Sequence, residues 1–267
     1  MTTAAAGSDR EWWGSVEIDV GSTLAWYIGP LRLQISHNLG EWRVAYQPGE
    51  GPAEDRVELA KACNPETAAQ RGGSIERFAM DSMSNWLGLV PLTADRTVVS
   101  HPTEPFYVPP GQETRLFVSS PLWVGVEHDG TRLCEVPITR PSDTWIGSTT
   151  GDGELAYSSR TFCRLRIEDV PFRPHRAVTP VVVANHSNSN LALERISIAV
   201  PSLSLYRGAG AILWTEEVRL TYGEDGDEVE MEISDRAPSE VGGGECIRDP
   251  REFGSHDRVR RALDVFF

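Results

Sequence analysis

Residues 122–138 read LWVGVEHDGTRLCEVPI. On both sides of Asp129-Gly130, apolar residues recur at every second position, which is the period of a strand with one face in a core. Asp-Gly between two such runs is a strong short-range signal for a β-hairpin. The stretch therefore predicts two antiparallel strands joined by a tight turn, and it lies within a region of short strand-like runs that extends from Thr114 to Ser234.

Similar runs continue outward in both directions. They occupy residues 16–20, 31–35 and 42–46 upstream, and 163–167, 178–185, 196–200, 212–220 and 229–233 downstream. Many short strands at this spacing, separated by Gly, Pro, Asn and Asp, are typical of sandwiches. We predict an all-β fold of two sandwich-like blocks of antiparallel strands with a short C-terminal helix.

Changes in composition suggest how the chain is organised. Residues 1–10 predict a disordered leader, and residues 11–100 a first β block with a loop or short-helix insertion at 47–74. A segment with four prolines follows, which favours an extended crossing because proline cannot donate to a sheet ladder. We place the second β block at 101–240, and a linker with an amphipathic tail at 241–267.

The charge balance argues against one class of partner. The chain has 39 acidic and 25 basic residues, a net charge of −14, and its only lysine is Lys61. Such a surface disfavours nucleic acid, whose binding requires positive potential against phosphate. No apolar run approaches the roughly 20 residues that span a bilayer, and residues 1–11 lack the pattern of a signal peptide. We therefore expect a cytoplasmic protein without a transmembrane segment.

Motifs for catalysis are missing from the sequence. It has no Gly-x-Ser-x-Gly elbow, no phosphate-binding loop and no dinucleotide fingerprint. The cysteines form no Cys-x-x-Cys pair, and Cys134 and Cys163 fall on predicted apolar strand faces, so we expect buried thiols. No metal and no cofactor is predicted. The alternative to a non-enzymatic protein is a β-sandwich hydrolase or lyase built around the polar cluster Arg173, His175 and Arg176.

Eight tryptophans permit a further alternative, a ligand- or carbohydrate-binding module. That function would need two or more exposed tryptophans on one face. Trp26 and Trp42 lie in alternating runs and are expected in a core, whereas Trp12 and Trp13 precede the first strand and are the candidates for exposure.

Acidic residues concentrate on the last predicted hairpin. Glu228, Glu230 and Glu232 alternate with Val229, Met231 and Ile233, which indicates one solvated row on a strand whose other face is buried. Like charges in a row also protect a sheet edge from mispairing. A basic partner or a cation site are the alternatives for this row.

The tail combines positive charge with apolar residues. Ser255 is a candidate helix cap, and Val259, Leu263 and Phe266 would form one stripe of the helix. We predict that the tail binds a partner, or that it folds back onto the body instead. The predicted partner-binding residues are Arg258, Arg260, Arg261, Leu263, Phe266 and Phe267.

Three stretches of the second block resemble a known prokaryotic family. They are the proline-spaced residues 102–109, the strand at 120–126, in which Leu122 and Trp123 replace the family's usual residues, and the glycine turn and strand at 151–164. The chain resembles the family called domain of unknown function 432. The resemblance implies a β-rich soluble bacterial protein, and an accessory role beside small-conductance mechanosensitive channels, at the inner face of the membrane.

These observations favour a non-enzymatic binding or regulatory accessory protein. We expect a protein partner, of which a membrane channel is the candidate that the resemblance suggests. An exposed sheet edge would also allow a homo-oligomer.

Overall fold

Short strands make up most of the regular structure. A computed structural model of the chain describes residues 11–47, 56–61, 73–81, 84–147, 153–161, 163–223, 229–252 and 259–261. The strands are β1 Gly14–Glu17, β2 Thr23–Ile28, β3 Leu31–Asn38, β4 Glu41–Gln47, β5 Val57–Lys61, β6 Ser74–Ala79, β7 Trp86–Thr93, β8 Val98–Pro102, β9 Phe106–Val108, β10 Glu113–His128 and β11 Thr131–Pro137. They continue with β12 Ser142–Ile146, β13 Glu154–Thr161, β14 Arg176–Asn185, β15 Leu191–Leu193, β16 Ile196–Ile198, β17 Leu205–Arg207, β18 Leu213–Trp214, β19 Val218–Tyr222, β20 Val229–Ile233, β21 Cys246–Arg248 and β22 Val259–Arg261.

Helical structure in these ranges is limited to brief 3-10 turns at Ile167–Asp169, Val200–Ser202, Ala209–Ala211 and Ser239–Val241. The predicted all-β class is therefore confirmed.

The chain divides into two compact units, each assembled from separate stretches of sequence. The first unit comprises Met1–Leu92, Pro121–Arg140 and Phe172–His175. The second unit comprises Thr93–Ser120, Pro141–Pro171 and Arg176–Phe267. The chain therefore passes between the units several times, once within β10. The division of the chain into contiguous β blocks at 11–100 and 101–240 stays a prediction.

An antiparallel sheet in the order β5-β2-β3-β4-β6 forms one layer of the first unit. Hairpins join β2 to β3 and β3 to β4, as the alternating runs predict. The turn into β3 uses Gly29 at φ 52°, a left-handed conformation that glycine adopts without steric cost. Leu31, Leu33 and Ile35 of β3 are fully buried, so one face of this sheet forms the core.

The other layer of the first unit contains β1, β7, β10 and β11, paired in that order. Asp129 and Gly130 both have positive φ, 46° and 76°, as a type I′ turn requires, and the predicted hairpin is confirmed. The layers meet at Trp42, whose ring centroid lies 5.2 Å from that of His128.

The insertion at 47–74 does not form the short helix in its described part, and that alternative is wrong there. Val57–Lys61 is strand β5, and it pairs antiparallel with β2 from Ile28 opposite Val57 to Leu24 opposite Lys61. Pairing with an open sheet edge outweighs weak local helix propensity. Residues 48–55 and 62–72 lie outside the described ranges.

Strand β14 is central to the second unit. Every residue from Ala177 to Asn185 is buried, because neighbouring layers cover both faces of the strand. β14 lies between β10 on one side and β18 and β19 on the other. From there the sheet continues through β19 to β20, and through β18 to β17 and β21.

A second sheet of this unit has the order β12-β13-β8-β16. A cavity of about 10 Å³, room for roughly one water, lies where Thr97, Ile146 and Ala199 approach Val229 and Met231 of β20. The two layers therefore pack closely against each other, as in a sandwich.

The predicted antiparallel pairing does not extend to every strand of the second unit. β13 pairs parallel with β8, and β14 pairs parallel with both β18 and β19. Alternation specifies which residues share a face, but it carries no information about strand direction. Parallel neighbours also need long crossover connections, which leave no short turn signal in the sequence.

The predicted C-terminal helix is wrong where the tail is described. Val259–Arg261 forms β22, which pairs antiparallel with β20. Local helical spacing is overridden here because the outer edge of β20 offers hydrogen-bond partners to an extended segment. Ser255, Leu263 and Phe266 lie outside the described residues.

Candidate functional site

The members of the predicted polar cluster are held by different parts of the structure. His175 is 3% exposed, and its carbonyl oxygen accepts a hydrogen bond from the Leu122 amide at 2.9 Å. Its ring packs against Gly29, where a Cβ would lie 2.5 Å from the imidazole Nδ1. The ring therefore lies in the interior of the first unit, at a position that only a glycine neighbour permits.

Arg176 is bound by hydroxyl and carbonyl oxygens of the second unit. Its Nε donates to Ser119 Oγ at 2.9 Å, and its Nη2 donates to the Ser119 carbonyl oxygen at 2.5 Å and to Ser159 Oγ at 2.9 Å. Arg173 donates from Nη1 to the Phe172 carbonyl oxygen at 3.2 Å. These are contacts that fix segments in place, and a catalytic role for the three residues stays a prediction.

Two other histidines frame an aromatic stack in the first unit. His37 lies parallel to Trp42, with ring centroids 3.9 Å apart and an interplanar angle of 7°. The Nδ1 atom of His37 lies 2.8 Å from the Ile18 carbonyl oxygen, and Nδ1 of His128 lies 2.8 Å from that of Trp86. Both rings thus link the core around Trp42 to neighbouring backbone.

The buried cysteines are unsuited to nucleophilic chemistry near neutral pH. Burial raises the pKa of Cys134 and that of Cys163 to about 12. A thiol with so high a pKa is almost fully protonated, and the thiolate is the reactive form. The prediction that these two thiols are buried is confirmed. Within the described ranges, no group of three or more His, Cys, Asp or Glu side chains is placed to hold a metal ion.

The tryptophans lie mostly in the cores. Trp26 and Trp42 are buried, as predicted, whereas the suggestion that Trp12 is exposed is wrong. Trp12 is buried, and its Nε1 donates to the Pro174 carbonyl oxygen at 2.8 Å. This long-range bond could not be inferred from a position just before the first strand.

One exposed apolar pair was not predicted from the sequence. Trp145 of β12 lies directly opposite Leu155 of β13, and the two side chains are 46% and 45% exposed. The ring of Trp145 covers Gly153, which has no room for a Cβ beneath it. A carbohydrate-binding function would require a second exposed tryptophan on this face, and it stays a hypothesis.

A charged surface follows β19 and β20 in the second unit. Arg219 binds Glu113 at 2.6 Å and lies opposite Glu232 in register. The hydrogen bond from Arg219 lowers the pKa of Glu113 below its ordinary value. The same bond raises the pKa of Arg219, and the charges of Glu217 and Glu232 raise it further. Acidic residues therefore surround this arginine.

Arg115 adds a second bridge on this unit. Its guanidinium lies 2.5 Å from Glu217 and 2.8 Å from Glu240. Both pairs are partly buried, and together they join Arg115 to two carboxylates of this unit.

The described part of the tail joins this acidic surface. In the register of β20 with β22, Arg260 lies opposite Glu230, Arg261 opposite Val229 and Val259 opposite Met231. Val229 and Met231 are buried, whereas Glu232 is exposed, so β20 has the alternating faces that the sequence predicts. Four of the predicted partner-binding residues lie outside the described ranges, namely Arg258, Leu263, Phe266 and Phe267.

The pairing of β22 with β20 was not predicted from the sequence. The acidic row and the basic tail were each recognised, but as separate features. Their opposite charges and the apolar-basic order of Val259-Arg260 were the available signals for strand pairing. They are weak ones, since three residues say little about register.

The fold and this surface define an all-β protein in which the acidic strand β20 pairs with Val259–Arg261 of the tail. A family model described as "Protein of unknown function (DUF432)" matches residues 12–266, and the chain belongs to that family. The resemblance stated from the sequence is thereby confirmed. No curated protein and no solved structure matches the chain. Within the described residues, none of the helices has the length and apolar character that a membrane span requires.

Proposed function

We propose that this protein is a non-enzymatic accessory protein that binds a partner through its C-terminal tail. Val259–Arg261 folds back onto the body as β22, and the observation that supports the proposal is that β22 is the outermost described strand beside β20, which brings Arg260 and Arg261 to the border of the sheet. Tails with alternating basic and apolar residues bind proteins and acidic surfaces well. The residues proposed to make the contact are Arg258, Arg260, Arg261, Leu263, Phe266 and Phe267.

The partner that we propose is a small-conductance mechanosensitive-type channel, at the cytoplasmic face of the membrane. Support for it comes from the family resemblance. The use of polar residues supports binding over catalysis, since His37, His128 and Arg176 are engaged in holding strands and loops together. A rigid frame of paired strands would hold such a tail in position for a partner.

Co-purification of the full chain tests this function. A tag at the N-terminus would be used to recover the protein from native cells in mild detergent, and its companions would be identified by mass spectrometry. We expect a mechanosensitive-type channel in a fixed ratio to the tagged chain. Recovery without such a channel would contradict the proposed partner.

Tail variants then locate the contact. Arg258→Glu with Arg261→Glu should abolish recovery of the channel, because two charges at the proposed contact are reversed. The matched control is Arg166→Glu with Arg236→Glu, two exposed arginines elsewhere in the chain. Deletion of residues 258–267 should have the same effect as the tail variant without unfolding the body of the protein, as measured by circular dichroism. Loss of folding in the deletion would favour a tail that serves the core.

A further inference from the structure

A row of basic side chains crosses the sheet that contains β13, β8 and β16 in the second unit. Arg160 of β13 lies directly opposite His101 of β8 in their parallel pairing. On the other side of β8, Ile196 lies opposite Ser100, so the antiparallel register brings the preceding residue, Arg195, beside His101. Residues opposite each other in neighbouring strands share a face of the sheet. Arg160, His101 and Arg195 therefore project side by side, at the roughly 4.8 Å spacing of neighbouring strands.

The row lies where this face of the sheet emerges from the core. Two residues before His101 on the same face, Val99 is 5% exposed. Arg160 and Arg195 are exposed, and His101 is half-buried. Charges interact more strongly beside such an apolar interior than in open water. An anion bound here would therefore be held more firmly than by the same side chains on a fully solvated surface.

The electrostatics of the row favour an anion. Burial lowers the pKa of His101, and the positive charges of Arg195 and Arg160 lower it further, while a hydrogen bond to the Glu194 backbone acts in the opposite direction. Like charges directly opposite each other destabilise a sheet. Three basic residues nevertheless lie next to one another in a chain with 39 acidic and 25 basic residues. Their repulsion does not stabilise the fold, and a bound anion would relieve it.

We propose that Arg160, His101 and Arg195 form a binding site for a phosphate group. The planar guanidinium groups of the two arginines suit bidentate hydrogen bonds to phosphate oxygens. The imidazole between them donates a further bond when it is protonated. Phosphate fits this row better than a carboxylate, because its three strong acceptor oxygens can meet three donors at once. The site goes beyond the proposed function and does not depend on it.

Nuclear magnetic resonance of the histidine side chains of the full-length protein tests the site. The signal of His101 is identified by its absence from the spectrum of His101→Gln. Inorganic phosphate, compared with sodium chloride at the same ionic strength, should shift this signal in a saturable manner. It should also raise the pKa of His101, because a bound anion stabilises the imidazolium.

Arginine variants make the test specific. Arg160→Gln should weaken phosphate binding by about fivefold or more, because it removes charge-assisted hydrogen bonds. Arg195→Gln should have the same effect from the other side of His101, so one variant remains informative if the other misfolds. Arg166→Gln is the matched control in the same unit, where the Arg166 side chain is 72% exposed, and it should leave binding unchanged.

Two sources carry a phosphate group of this kind, a soluble phosphate ester and a lipid headgroup, and two further probes distinguish them. Binding of glycerol 3-phosphate would support a soluble ester. Binding only to phosphatidylcholine vesicles that contain phosphatidic acid would support a headgroup. In either case Arg160→Gln should weaken the binding.

The proposal is overturned if phosphate shifts the His101 signal no more than chloride does. It is also overturned if Arg160→Gln and Arg195→Gln both bind phosphate as tightly as the parent, since the binding would then belong to another part of the chain. Neither result bears on recovery of the channel, so the site and the proposed function fail or stand separately.

Discussion

In the first unit, β2, β3 and β4 pair with their neighbours in sequence, whereas in the second unit β14 pairs with β18 and β19, and β13 pairs with β8. The two units use the same kind of alternating strand. In the first, tight turns set the register between neighbours. In the second, register depends on contacts between segments that are far apart in the chain. The comparison teaches that alternation and turn residues determine local hairpins, while the order of distant strands is decided by packing.

The largest effect is expected at the aromatic stack of the first unit. Trp42→Ala should lower the free energy of unfolding by about 3–5 kcal/mol, because it removes a buried ring and leaves a cavity beside His37 and His128. Urea denaturation followed by circular dichroism would measure it. Trp86→Ala removes a side chain that is 53% exposed, and it should cost much less. Equal losses for the two variants would contradict the assignment of the stack as core.

The second unit should be most sensitive at a buried amide rather than at a ring. Asn185 is fully buried, and its Nδ2 donates to the carbonyl oxygens of Val108 at 2.7 Å and Ser189 at 2.9 Å. Its Oδ1 accepts from the Ser187 hydroxyl at 2.7 Å. Asn185→Ala leaves these groups without their partner and should cost about 2–4 kcal/mol in the same measurement.

The control for this variant is Asn188→Ala, a change of the same residue type at an exposed position of the same turn. It should change stability by less than about 0.5 kcal/mol. If both variants behave alike, the amide is not what holds the second unit's distant segments together.

A local turn of the first unit gives an intermediate effect. Gly29→Ala should cost about 2–3 kcal/mol, because the residue has a positive φ and its Cβ would collide with the buried ring of His175. Gly40 also has a positive φ, but a Cβ there would meet nothing within 4 Å. Gly40→Ala should therefore lower the free energy of unfolding by about 1 kcal/mol. Thermal melting of the two variants side by side would measure the difference. Similar melting temperatures would show that His175 can move aside.

The smallest effect is a pH dependence in the second unit. Burial lowers the pKa of His101 below its ordinary value of 6.5, and the charges of Arg195 and Arg160 lower it further. The unfolded chain therefore binds more protons than the folded one as the pH falls below about 6.5. The stability that this histidine contributes is complete above that pH, and it is lost as the pH falls through the lower folded pKa.

When the pH is lowered from 7.5 to about 5.5, the free energy of unfolding should accordingly fall less for His101→Gln than for the parent. Urea titrations at both pH values measure this. The matched control is His186→Gln, which changes an exposed histidine of the same unit. An identical pH dependence for the parent and His101→Gln would refute the assignment.

Much of the fold was accessible from the sequence because it is encoded locally. Asp129-Gly130 fixed one hairpin, and the alternation at Leu31, Leu33 and Ile35 identified a strand and its buried face. Strand β14 was also predicted, as the run at 178–185, although the burial of both of its faces was not. The acidic row at Glu230 and Glu232 was predicted correctly as the outer face of a strand.

The elements that were not predicted form because they pair with distant strands, and the local sequence does not identify those strands. Val57–Lys61 becomes a strand because β2 has an open edge, and Val259–Arg261 becomes one because β20 has another. The contact from Trp12 to Pro174 joins residues 162 positions apart. The acidic residues of β20 and the basic residues of the tail were therefore predicted, but their pairing was not. Opposite charges attract each other without specifying the register of two strands.

The bond between Trp12 and Pro174 also constrains the order in which the protein is completed during translation. The first unit contains Phe172–His175, so it cannot close when its N-terminal strands leave the ribosome. It must wait until nearly two thirds of the chain has been synthesised, while β2, β3 and β4 can already form their hairpins. The second unit waits longer still, since β19 and β20 follow β14. For most of its synthesis, the nascent chain therefore has no complete core in either unit. The strands that are already formed keep unpaired edges during that time, and a chaperone could bind them.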